Sequence, residues 1–298
     1  MVTIPDWLRP LYPFTPATFT TPGGAGMSYV DEGGDAGQGN GTVLMLHGNP
    51  TWSFYYRDLI RALAPSRRCI APDHIGMGLS DKPENYTYQL KTRIDDIEAL
   101  IDSLGITKLD LVVHDWGGAI GFGLAARRPD LIGRIVILNT GAFPSEHIPG
   151  RIALCRAPGV GRFLVRGLNG FAWPATWMAM SRRALSADES NGYLFPYNSW
   201  ANRVAINAFV QDIPMQAGHP SWAALTDTAA GISQFRDRSS LIVWGGRDFC
   251  FNDHFYAEWQ KRLPQAETFY LEDAGHYVLD DAKGDAVPRI CEHLLAPE

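Results

Sequence analysis

The chain has 298 residues, 46% hydrophobic and 19% charged, with a formal net charge of −6. A charged share below the usual ~25% argues against disorder, and an acidic chain with no basic block argues against a nucleic-acid partner. The N-terminus carries Asp6, Arg9 and several prolines in place of a signal-peptide core, and no run of ~18 apolar residues predicts a transmembrane segment.

Residues 1–16, with four prolines, Tyr12 and Phe14, are expected to wrap the surface without regular structure. Thr18–Thr21 and Met27–Asp31 read as a first hairpin, and the glycine-rich Gly33–Gly41 reads as a loop. Thr42–Leu46 is a predicted buried strand leading into His47-Gly48-Asn49-Pro50, and Phe54–Leu63 a predicted helix. Arg68–Ala71 is the next strand, running into Asp73-His74-Ile75-Gly76-Met77-Gly78-Leu79-Ser80-Asp81. That glycine-rich stretch lacks the spacing of a phosphate loop, so a shaped structural loop bordering the active site is expected. Ile94, Ile97, Leu100, Ile101 and Leu104 share one helical face, and Gly105 suits the C-terminal stop.

From Lys108 to Gly118 an apolar strand runs into Val113-His114-Asp115-Trp116-Gly117, followed by a helix of small and apolar residues. A strand, a glycine pivot and a helix make the sharp turn that lifts a nucleophile above a sheet edge. The usual motif there is G-x-S-x-G. Here Asp115 holds the serine position, and Val113 loosens the match.

Arg134–Leu138 is a further strand. Residues 142–238 then lack clean strand signals and are rich in Trp and Met, including Trp173, Trp177, Met178 and Met180. Alternation resumes with strand Ser240–Trp244, a helix near Asp253–Arg262, strand Glu267–Leu271 and a helix near Lys283–Leu295. This predicts an α/β-hydrolase fold: a mostly parallel eight-stranded sheet, with 1–141 and 239–298 as core and 142–238 as an inserted helical cap.

A carboxylate nucleophile needs donors for the leaving group and a base to activate water. His276, in a loop after the last strand, is the base candidate, and Asp248, after the strand ending at Trp244, is the acid that orients it. Asp253 is the expected cap of the following helix. Asn139 and Thr140 occupy the other known acid position, and neither ionises. The backbone N–H groups of Asn49 and Trp116 are predicted to form the oxyanion hole, their side chains adding an amide and an indole donor for a departing anion. The aromatic cap suits an apolar cavity over Asp115. Cys69, Cys155, Cys250 and Cys291 show no C-x-x-C spacing, so neither a zinc site nor a disulfide framework is predicted, and free thiols in the cytoplasm are expected; no cofactor and no metal are expected.

Taken together, His47-Gly48-Asn49-Pro50, His114-Asp115-Trp116-Gly117, Asp248 and His276 resemble the haloalkane dehalogenases, a branch of the α/β-hydrolases. Asp6-Trp7-Leu8, Tyr12-Pro13-Phe14-Thr15-Pro16, Thr51 to Arg57 and Asp73 to Pro83 look closer to a sister group, the OleB-type β-lactone decarboxylases of olefin biosynthesis. The resemblance implies nucleophile Asp115, base His276, acid Asp248 and anion donors Asn49 and Trp116. It further implies an apolar small-molecule substrate and a complex with other olefin-biosynthesis enzymes. Both groups share this residue set, so the triad does not separate lactone decarboxylation from dehalogenation. Epoxide hydrolysis, which needs phenol donors from the cap such as Tyr193 or Tyr197, and a silent binding protein are the remaining readings.

Overall fold

The structure, a computed structural model, describes residues 3–34 and 41–297. Of the predicted Gly33–Gly41 loop, positions 35–40 lie outside the described residues. One sheet contains β1 (Ala17–Thr20), β2 (Gly26–Glu32), β3 (Thr42–Leu46), β4 (Arg68–Pro72), β5 (Leu109–Asp115), β6 (Ile132–Thr140), β7 (Ser240–Gly245) and β8 (Glu267–Leu271). Their order is β1-β2-β4-β3-β5-β6-β7-β8. β1 pairs antiparallel with β2, and β2 with β4; all other pairs are parallel. Every residue of β3, β5 and β7 is buried, as parallel strands covered on both faces require.

Helices α1 (Arg57–Leu63), α2 (Leu90–Ser103) and α3 (Trp116–Arg127) follow β3, β4 and β5. α2 buries Ile94, Ile97, Leu100 and Ile101, the face its spacing predicts, and Gly105 beyond its end has φ 64°. Between β6 and β7 the described residues form helices and no strand. These are α4 (Gly150–Arg156), α5 (Val160–Arg162) running into a π turn, α6 (Ala172–Met178), α7 (Ala187–Leu194), α8 (Val204–Gln211) and α9 (Trp222–Gly231). α10 (Asp253–Arg262), α11 (Val278–Asp281) and α12 (Lys283–Leu295) complete the chain.

Two local expectations change. The predicted helix Phe54–Leu63 opens as a 3₁₀ turn over Ser53–Tyr56, where the Ser53 N–H donates to Asp73 Oδ1 at 2.7 Å. Asp253 is not the cap of α10. Asn252 caps it, accepting from the His254 N–H at 3.1 Å, while Asp253 accepts the Tyr270 hydroxyl at 2.8 Å.

Buried polar groups fasten the helical insertion to the sheet layer. Arg57 of α1 pairs with Asp280 of α11 and, at 3.4 Å, with Glu189 of α7. Arg93 of α2 donates to Asp212, just beyond α8, at 2.8 Å. Asp281 accepts backbone N–H groups from Ser181 and Arg182 at 2.9 Å and from Gly275 at 2.6 Å, joining the insertion to the loop that carries His276.

Candidate active site

β5 ends at Asp115, whose backbone has φ 51° and ψ −126°, a region that costs a non-glycine residue roughly 1–3 kcal/mol. Packing holds the turn in place. A Cβ on Gly117 would overlap the Leu46 carbonyl, and one on Gly118 would overlap Thr140 Oγ1. Thr140 Oγ1 donates in turn to the Asp115 carbonyl. The strain aims the side chain past the sheet edge, where the Asn49 N–H donates to Asp115 Oδ1 at 2.6 Å. Burial raises the Asp115 pKa, while His276 and the N–H groups of Asn49 and Trp116 pull against it.

His276 Nε2 lies 3.8 Å from Asp115 Oδ2, and its Nδ1 lies 2.6 Å from Asp248 Oδ2. A carboxylate at Nδ1 keeps a proton there and leaves Nε2 facing Asp115. Burial lowers the His276 pKa, but Asp248 and then Asp115 outweigh it and hold it above the usual value. Asp248 Oδ1 accepts the N–H groups of Cys250 and Phe251 at 2.6 and 3.1 Å, which fixes the carboxylate. Asn139 does other work: its amide donates to the Gly245 carbonyl at 3.0 Å and accepts from the Gly245 N–H at 2.8 Å, tying β6 to β7 beside Asp248.

The Asn49 side chain donates to the Ile206 carbonyl of α8 at 3.2 Å, one of the two N–H bonds its Nδ2 can make, and its Oδ1 is buried without a partner among the described residues. The Trp116 ring packs on Phe209 of α8, ring centroids 5.3 Å apart, and the buried Arg93 guanidinium lies 3.8 Å from the Phe209 centroid. Asn49, Asp115, Trp116 and His276 all line one cavity of about 500 Å³. Its other walls are mainly apolar, with Phe143, Ile152 and Leu225 among them. The Asp73 loop stands behind Ser53 rather than on the cavity, and burial raises the Asp73 pKa to about 6.

Tyr193 and Tyr197 do not reach the cavity. The Tyr193 hydroxyl donates to Asp280, and the Tyr197 hydroxyl donates to the Thr51 carbonyl at 3.1 Å. The phenol donors that epoxide opening requires are therefore occupied elsewhere.

Three supporting residues escaped the sequence reading. Gly48 lies bare against Asp115. His114 donates from Nε2 to the His276 carbonyl at 2.9 Å and lies between the Tyr55 and His276 rings. Asp281 holds the loop before His276. The first two stood in the motifs as spacers, and the signal for Asp281 was only a second acid beside Asp280.

A strained carboxylate turn, a buried histidine–carboxylate pair and an apolar cavity beside the helical insertion belong to an α/β-hydrolase fold. The chain belongs to the α/β-hydrolase family, whose model matches residues 41–283. It is 45% identical to the cis-3-alkyl-4-alkyloxetan-2-one decarboxylase of Shewanella oneidensis, covering 94% of this chain and 88% of that protein. It is 43% identical to the decarboxylase of the same name from Xanthomonas campestris pv. campestris, covering 94% and 96%. The crystal structure of haloalkane dehalogenase DbeA from Bradyrhizobium elkani matches with a TM-score of 0.80 at 29% identity, covering 93% of this chain and 96% of that one. The protein is thus an enzyme of the haloalkane dehalogenase-like branch, with relatives named as β-lactone decarboxylases.

Proposed function

We propose that the enzyme converts a long-chain cis-3,4-dialkyl β-lactone into a cis-olefin and CO₂. Asp115 is the nucleophile, His276 and Asp248 its partners, Asn49 and Trp116 the anion donors, and 142–238 the cap over a core of 1–141 and 239–298. The observation that carries this reading is identity of 45% and 43%, over nearly the whole chain, to relatives named for that activity, against 29% to the dehalogenase structure.

The chemistry balances without water. Asp115 attacks the sp³ ring carbon that bears the ring oxygen, the C–O bond breaks, and a carboxylate departs towards Asn49 and Trp116. The C–CO₂ bond then breaks, its electron pair forms the alkene, and the Asp115 ester bond to carbon opens to regenerate the carboxylate. Inversion followed by anti elimination leaves the alkyl groups cis. The apolar cavity supports the substrate class. The four free cysteines support a cytoplasmic setting, and a complex with other olefin-biosynthesis enzymes rests on the resemblance alone.

The alternative is haloalkane hydrolysis by the same Asp115, with His276 activating water to cleave the ester. The dehalogenase structural match favours it. Purified protein incubated with a cis-dialkyl β-lactone and, separately, with a bromoalkane separates the two. Olefin by gas chromatography is the expected product; bromide release without olefin overturns the decarboxylase reading.

A further inference from the structure

The helical insertion differs in charge from the rest of the chain. Residues 147–187 hold Arg151, Arg156, Arg162, Arg166, Arg182 and Arg183 and no Asp or Glu, in a chain of net charge −6. Three of these are committed: Arg166 to Glu84, Arg182 to Asp273 and Asp285, and Arg183 to Glu189. Arg151, Arg156 and Arg162 have no ion pair within 4 Å among the described residues, although Arg162 stands close enough to Glu84 to help hold its carboxyl pKa down. Arg151 reaches Met178 Sδ, Arg156 donates to the Ile213 carbonyl at 3.0 Å, and the Arg162 guanidinium lies 5.5 Å from the Trp200 ring centroid.

The same helices expose large apolar side chains. Leu154, Phe163, Leu168, Trp173 and Trp177 are each more than half exposed. Trp173 and Trp177 adjoin, with ring centroids 6.5 Å apart, and Gly167 lies against both the Phe163 and Trp200 rings. Single exposed apolar residues need no explanation, but a cluster with surplus positive charge does. Leu154 and Trp177 also line the cavity that holds Asp115. Side chains that are both solvent-exposed and cavity-lining stand at its mouth.

We propose that this face docks on an anionic lipid bilayer and draws its apolar substrate from the bilayer through the mouth beside Leu154 and Trp177. Tryptophans sit at headgroup depth, leucine and phenylalanine enter the acyl boundary, and arginines pair with anionic headgroups. A rim with surplus positive charge around apolar side chains matches that occupant in both charge and polarity. The identity of the substrate rests on the decarboxylase reading, whereas docking is read without turnover, so the two fail separately.

The test uses the full chain. It is sedimented with phosphatidylglycerol–phosphatidylethanolamine vesicles and with phosphatidylcholine vesicles. Binding to the anionic vesicles at least about fivefold above the neutral ones, weakening with added salt, is expected. Phe163→Ser with Trp173→Ser, and separately Arg162→Glu, alter exposed residues that do not line the cavity. Each is expected to weaken vesicle binding by about tenfold or more, with turnover of detergent-dispersed lactone unchanged. Wild-type protein that stays in the supernatant with anionic vesicles overturns the proposal and leaves a protein partner as the occupant. Variants that bind as wild type overturn it equally.

Discussion

A Cβ on Gly48 would overlap Oδ1 of Asp115. The carboxylate therefore rests on bare backbone, and only that closeness lets the next N–H, that of Asn49, reach Oδ1 at 2.6 Å. Gly48→Ala must push either the loop or the carboxylate away. A displacement near 1 Å costs about 10²-fold in rate. Gly48→Ala is expected to lower kcat by that order and to lower Tm, read by steady-state turnover and thermal melts. Wild-type kcat in this variant would show that the contact does not position the reacting group.

Asp115→Asn removes the proposed nucleophile and a buried charge together. Turnover is expected to fall by about 10⁴-fold or more. Stability moves the other way. Burial raises the carboxyl pKa in the folded state above its unfolded value, so at neutral pH the charged form costs folding free energy. The amide oxygen can still accept from Asn49, and a gain of about 1 kcal/mol is expected. The gain should shrink as pH falls through the folded and then the unfolded carboxyl pKa. A less stable Asp115→Asn protein at pH 7 refutes the account of the buried charge.

Much of this was legible in the sequence. All eight strands were anticipated, with edges off by one or two residues, because parallel strands read as continuous Val, Ile and Leu runs. The order of Asp115, Asp248 and His276 along the chain singles them out as candidates, and the structure brings them within hydrogen-bonding or near-contact distance. What stayed hidden depends on which atoms meet. Tyr193 and Tyr197 look like phenol donors until Asp280 and Thr51 take their hydroxyls. Asn49 looks like a free amide until the Ile206 carbonyl, 157 positions away, takes one N–H. Spacing within a segment carries no information about such distant partners.

The pH profile distinguishes the two chemistries. Both need Asp115 ionised, so both lose rate as pH falls through its raised pKa. Ester hydrolysis also needs His276 neutral to accept a proton from water. Protonation of His276 therefore adds to the acid limb for a bromoalkane a loss that the lactone limb lacks; Asp248 favours that protonation and burial opposes it. Rate–pH curves measured on one preparation check this, and coincident acid limbs refute the water-free route.

Asp280 tests how α1 is held to α11. It is buried, pairs with the buried Arg57 and accepts the Tyr193 hydroxyl. Asp280→Ala takes from the buried Arg57 its nearest carboxylate, leaving Glu189 at 3.4 Å, and is expected to cost about 3 kcal/mol. Arg57→Met with Asp280→Leu removes both charges and should cost clearly less, read by urea denaturation. Equal losses in the two proteins would mean that packing, not the ion pair, fastens α1 to α11.

His276→Ala addresses the proposed role of His276 as base directly. Of the two His276 ring nitrogens, Nε2 faces Asp115 and Nδ1 is held by Asp248. In dehalogenation the alkyl ester on Asp115 waits for a water that His276 must deprotonate. The variant is therefore expected to trap that ester with a bromoalkane, detectable as added mass on the peptide containing Asp115. In decarboxylation the adduct carries its own carboxylate and collapses by losing CO₂, with no proton to move. Olefin formation should survive in His276→Ala, reduced only by loss of a neighbouring charge, while bromoalkane turnover falls by about 10³-fold or more. Loss of both activities to the same degree would assign His276 a proton transfer in the lactone reaction and exclude attack at the ring sp³ carbon followed by unassisted collapse.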